Sequence, residues 1–277
     1  MLPGPDDELE FDEEEEEEEE ESDDEDDSTS TSSGEVYDPE APDAEDDALI
    51  AVWSDEDGEE MDEEEDSALA AFHHEVAAEL AAEVGVYAQR INENDHRLGR
   101  IDESMFHGLP LGDSNALTLF RSLSTNTRLQ YLNLVNQGLT NFSIGALATV
   151  LARNKGLRYL NLSSNEFDDD GVAALARMLG RNRRLTHLIL DGSRVGDDGV
   201  RQLSRALVNN DTLEHLSLRS SGITSDAMQA LSTVVNKNKT LAYLDVSANE
   251  RVSNISRNHL RNVWVQRGVA QSQLVVE

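Results

Sequence analysis

The sequence predicts an α/β solenoid, a right-handed horseshoe with parallel strands on its concave side and helices on its convex side, preceded by a disordered acidic tail. Two observations predict it. The pattern L-x-x-L-x-L recurs five times at a constant period of 28 residues: Leu129, Leu132, Leu134; Leu157, Leu160, Leu162; Leu185, Leu188, Leu190; Leu213, Leu216, Leu218; and Leu241, Leu244, Val246. A fixed period of this length marks stacked supersecondary units that share one continuous core. The second observation is a division of charge: residues 1–70 hold 36 of the 57 acidic residues and no Lys or Arg, whereas residues 91–277 hold 18 acidic against 21 basic residues. The formal charge of −35 therefore belongs to the N-terminal segment.

Runs such as Glu13 to Glu21 bury no apolar area to offset the entropy of ordering, so residues 1–66 are expected to be disordered. Within them Leu49, Ile50, Val52 and Trp53 form an apolar island between acidic clusters, the pattern of a segment that docks by folding on a partner. Next, Phe72, Val76, Leu80 and Val84 fall four apart in an Ala-rich stretch, which predicts an amphipathic helix over 67–90 as part of an N-terminal cap over 67–100. Residues 101–277 form the repeat domain, with a degenerate first repeat that a backward count of 28 from Leu129 starts at Ile101. In each repeat the alternation around the second and third leucines buries one face of a short strand, and five or six such strands are expected side by side.

Each strand is followed by a turn at Gln137, Asn165, Ser193, Ser221 or Asn249, then by a helix start at Asp113, Asn141, Asp169, Asp197 or Ser225. These last five are N-capping residue types. Leucines at 119, 147, 175, 203 and 231, with an apolar residue four later in each case, give the helices their inner face. Asn126, Asn154, Asn182, Asn210 and Asn238 stand where the helices stop, a residue type that tolerates the left-handed conformation used there. A final helix through Leu260 and Trp264, with Leu274 and Val275 beyond it, is expected to cap the stack.

These residues identify the chain as resembling leucine-rich repeat proteins of the ribonuclease-inhibitor-like subclass. The helix starts Asp169 to Val172 and Asp197 to Val200 and the Asn-x-x-Leu helix ends carry that resemblance over residues 101–265. A second resemblance, to the entry of the tropomodulin leucine-rich repeat domain, rests on Asn94-Asp95, Leu98, Ile101, Leu109-Pro110 and Ser122 to Thr127. It implies actin pointed-end capping and tropomyosin binding. Asp102 to Met105 depart from the tropomodulin pattern, and the acidic tail stands where that family carries its amphipathic binding helices. Ran GTPase-activating proteins also resemble the chain in repeat subclass, but their acidic run follows the repeats instead of preceding them.

Strand residues that alternate with the buried leucines face the concave side. They comprise Tyr131, Tyr159, His187, His215 and Tyr243 in one column, Asn133, Asn161 and Asp245 in a second, and Asp191 and Arg219 in a third. Aromatic rings with polar tips suit protein recognition, so the expected function is a non-catalytic interaction scaffold, with the tail modulating partner choice. A tropomodulin-like cytoskeletal role, and a GTPase-activating or acidic chaperone-like regulator, are the alternatives. No phosphate loop, nucleophile and base pairing or His-Glu-x-x-His motif is present. His187 and His215 have no visible third ligand, so neither a metal nor a cofactor is expected. Expected partners are proteins, actin or tropomyosin or basic proteins among them; nucleic acid would be repelled by the tail. Without cysteine, signal-peptide features or an apolar span, an intracellular, cytoplasmic monomer is expected, with cytoskeleton or nucleus as its place.

Overall fold

The computed structural model describes residues 63–106, 108–269 and 272–277, with side chains from Ala70 onward. The chain divides into two units, Met1–Glu60 and Met61–Glu277. The tail and its island Leu49, Ile50, Val52 and Trp53 lie outside the described residues.

The second unit is a leucine-rich repeat solenoid. A long helix α1 (Glu63–Asn92) leads into β1 (Arg100–Ile101), a 3-10 turn at Glu103–Phe106 and α2 (Gly112–Ser122). Four strand and helix pairs follow: β2 (Tyr131–Asn133) and α3 (Asn141–Leu151), β3 (Tyr159–Asn161) and α4 (Asp169–Leu179), β4 (His187–Ile189) and α5 (Gly196–Leu207), β5 (His215–Ser217) and α6 (Ser225–Lys237). The chain ends with β6 (Tyr243–Asp245), α7 (Asn254–Gln266) and β7 (Gln273–Val275). The strands form one parallel sheet in sequential order from β1 to β7, two more than the period alone marks. Consecutive helices pack on one another along the stack.

The repeat leucines form the floor between sheet and helices. Leu132, Leu160, Leu188, Leu216 and Leu244 pair strand to strand in register and are fully buried. The first repeat differs from its expected register. Ile101 pairs with Leu132 and not with the position of Leu129, a spacing of 31, because the 3-10 turn at Glu103–Phe106 adds residues before Leu111. Phe106 fills the resulting space and is completely buried.

Asn126, Asn154, Asn182, Asn210 and Asn238 are not left-handed, although Asn94 just beyond α1 is, with φ 51°. Among the described residues the positive-φ column lies in the strand-to-helix turn instead, at Gly108, Asn136, Ser164, Gly192, Ser220 and Ala248. The buried asparagines bind repeats together: the amide of Asn182 donates to Leu151 O and Asn154 O, while its oxygen accepts from the N–H of Arg184 and Leu185. Asn154, one unit earlier, and Asn210 and Asn238, one and two units later, repeat the arrangement. Asn126 reaches back to Ile91 O, and Asn94 accepts from the N–H of Thr127, so the same device fastens α1 to the stack. Asn165 and Asn249 form a second ladder in the turns, each donating to the carbonyl of the preceding repeat.

The helix starts also correct the expectation. Thr140, Asp168 and Thr224 are the side chains that cap α3, α4 and α6. The column one residue later is turned toward the next repeat: Asp113 accepts from Thr140 N and Oγ1, Asp169 from Gly199 N, and Asp197 from Thr224 N and Oγ1. The missing side chain of Gly199 leaves room for this bond, since a Cβ would stand 2.9 Å from Asp169 Oδ1 and 3.0 Å from Val172 Cγ1. In α1 only the second half of the apolar stripe is core: Leu80 and Val84 are buried, while Phe72 is 60% exposed. The helix covers the first repeat with its C-terminal part.

Candidate functional site

The strand residues opposite the leucine floor form a continuous row of rings. Tyr131 stacks on Tyr159 at 4.2 Å between centroids and 10° between planes; His187 stacks on His215 at 5.1 Å and 20°; His215 stacks on Tyr243 at 3.9 Å and 5°. The join between Tyr159 and His187 is looser, tilted at 5.8 Å. The parallel register that pairs these residues strand by strand sets the row, because residues about 4.8 Å apart across a sheet can hold aromatic planes in contact. Arg100, which pairs with Tyr131 in the register, lays its guanidinium over that ring at 4.0 Å and bonds Asp102. Arg100 is absent from the expected face, since counting back 28 from Tyr131 lands on Glu103; the spacing of 31 would have found it.

The rings are half-buried. Burial, together with the neighbouring Tyr131, pushes the Tyr159 phenol up to about 12. Burial first, and then the neighbouring His187, bring the His215 imidazole down to about 4, against a smaller opposing pull from Asp245. The neutral ring is therefore favoured in the folded chain while the unfolded chain takes up its proton near 6.5. Stability from this group is complete above pH 6.5 and is lost as pH falls toward about 4. His187 and Tyr243 stack on either side of the ring, and the Asp245 carboxylate is the charge that acts on it beside His187. His215→Tyr, which keeps the column's ring type, should weaken the acid-side decline; comparing denaturation midpoints of variant and parent at about pH 7 and about pH 4.5 checks this.

The other expected residues divide. Asn133 and Asp245 are buried in the floor beside the rings, so they shape the face instead of reaching from it. Asn133 donates to Glu103, and Asp245 accepts from Ser247 N and, at 3.4 Å, from Tyr243 Oη. Asn161 accepts from the N–H and hydroxyl of Ser163. Asp191 accepts from Ser217 Oγ at 2.5 Å and from Arg219 N at 2.9 Å, which leaves the exposed Arg219 side chain beside a fixed carboxylate. Among the described residues no group of three or more His, Asp or Glu is placed to hold a metal ion, and no helix is long and apolar enough to cross a membrane.

The fold is that of a leucine-rich repeat solenoid. Residues 153–176, 181–204 and 209–232 each match the family described as a leucine-rich repeat. Among solved structures the chain is similar to the actin-binding site 2 of leiomodin-1, at 19% identity and a TM-score of 0.44, covering 65% of this chain and 94% of that one. It is also similar to the tropomodulin C-terminal domain of Caenorhabditis elegans, at 14% identity and a TM-score of 0.45, covering 67% and 93%. No curated protein matches the chain by sequence. Asn94 and Asn126, two of the residues in the tropomodulin-like stretch of the sequence, join α1 to the first repeats.

Proposed function

We propose that the protein is a non-catalytic interaction module that holds a protein partner on the concave face, with the acidic tail tuning partner choice by charge. The stacked ring row supports this. Each ring lends its faces to its neighbours and its edge to solvent, so hydroxyls, imidazole nitrogens and apolar rims stand in a line already ordered before any partner arrives. Preordered side chains lose little entropy on binding, which is where rigid aromatic faces gain affinity. Tyr131, Tyr159, His187, His215 and Tyr243 form the row, and Asn161, Asp191 and Arg219 supply the polar contacts beside it. The excess of acidic residues in the tail favours basic partners and an intracellular setting in which they abound.

Tyr159→Ala together with His187→Ala breaks the row at its centre. Retention of a partner captured with the parent chain should fall about tenfold or more, while the variant still unfolds in one cooperative transition. Capture at low and high salt, with the retained protein then titrated against both chains, measures this; actin belongs in the first panel because of the sequence resemblance. Equal affinity for parent and variant would remove the concave face from the proposal.

A further inference from the structure

The apolar stripe of α1 does not stop where the core stops. Phe72, Val76, Leu80, Val84, Ala88 and Ile91 continue one helical face, and burial begins only at Leu80. Thirty residues of helix span about 45 Å, against about 17 Å for the 11-residue helices α2 to α4, so a length of α1 stands clear of the stack. Along it no described residue before Leu80 is buried. Among the described residues, Phe72, at 60% exposed and with its ring 6.2 Å from that of His73, and the half-buried Val76 therefore present an apolar edge that the repeats do not cover.

Charge specifies what fits this edge. Glu75 and Glu79 flank it four residues apart, a like-charge spacing that costs helix stability. From Glu63 to Gln89 the sequence has seven acidic residues and no Lys or Arg. A second copy would set carboxylates against carboxylates, and an anionic membrane surface would repel the same row. An amphipathic helix with cationic flanks would bury Phe72 and Val76 and place its charges beside Glu75 and Glu79.

We propose that the free half of α1 is a docking surface for a basic amphipathic helix of another protein, separate from the concave face. The test uses the full chain and a fluorescent peptide of about 15 residues, with Leu at helical spacing and Lys elsewhere, beside a scrambled peptide of the same composition. The tail attracts both peptides by charge alone, so the informative quantity is their difference. The periodic peptide should bind about tenfold more tightly than the scrambled one, and Phe72→Ser with Val76→Ser should abolish that preference without changing the scrambled peptide's affinity. Glu75→Gln with Glu79→Gln should reduce the preference through the charge contribution alone. Equal binding of the two peptides, or a preference that survives Phe72→Ser with Val76→Ser, overturns the proposal. So does a parent chain that sediments as a dimer and becomes monomeric in that variant, which would assign the edge to self-association.

Discussion

Asn210→Ala should destabilise the repeat domain by about 3 to 5 kcal/mol, measured as the shift in chemical denaturation, whereas Asn209→Ala beside it should change stability by less than about 0.5 kcal/mol. The two residues are identical and adjacent, so the contrast isolates position from residue type. Asn210 is 3% exposed, and its amide donates to Leu179 O and Asn182 O while its oxygen accepts from Thr212 N and Leu213 N. Alanine leaves the N–H groups of Thr212 and Leu213 without their acceptor and the carbonyls of Leu179 and Asn182 with the Arg183 guanidinium alone, and each unsatisfied buried group costs about 1–3 kcal/mol. Asn209 is exposed and its side chain makes none of these bonds. Similar losses for the two variants would mean that the asparagine column contributes no more than helix-end propensity.

Leu80→Asp should cost about 3 to 5 kcal/mol, because it places an unpaired carboxylate where the side chain is 7% exposed and next to the fully buried Val84. Phe72→Asp, two turns earlier on the same stripe, should leave the melting temperature nearly unchanged. In a solenoid each unit is stabilised by its neighbours, so loosening α1 exposes the first repeat and lowers the stability of the units behind it. Thermal melts of both variants followed by circular dichroism separate the cap from the free half of the helix. Parent-like melting of Leu80→Asp would show that α1 does not cap the stack.

The period of 28 was sufficient to place β2 to β6 and the helices between them, because each repeat restates the same burial pattern. It failed at both ends. The 3-10 turn shifts Ile101 by three residues, and β7 follows a segment, Arg267 to Ser272, that carries no leucine pattern. The polar columns were visible but their work was not. Asn154 and Asp113 look like helix stops and caps from local propensity, yet the Asn154 amide and the Asp113 carboxylate find partners 27 to 31 residues away, a distance that no local rule encodes. On the concave face the ring column could be read from alternation alone. The burial of Asn133 and Asp245, and the closure of the row by Arg100, depend on strand register and on neighbouring side chains, which alternation does not contain.

The asparagine ladder makes the protein modular in length. Asn154, Asn182, Asn210 and Asn238 each address the unit before them by the same two offsets, 28 and 31 residues. A whole unit could be excised or duplicated between two such residues and every surviving amide would still meet a carbonyl in its usual place. The concave row is then a ruler graduated in steps of about 4.8 Å, one ring to the step. Its two ends, the guanidinium of Arg100 and the Gln273 that pairs with Tyr243, set where the scale begins and stops.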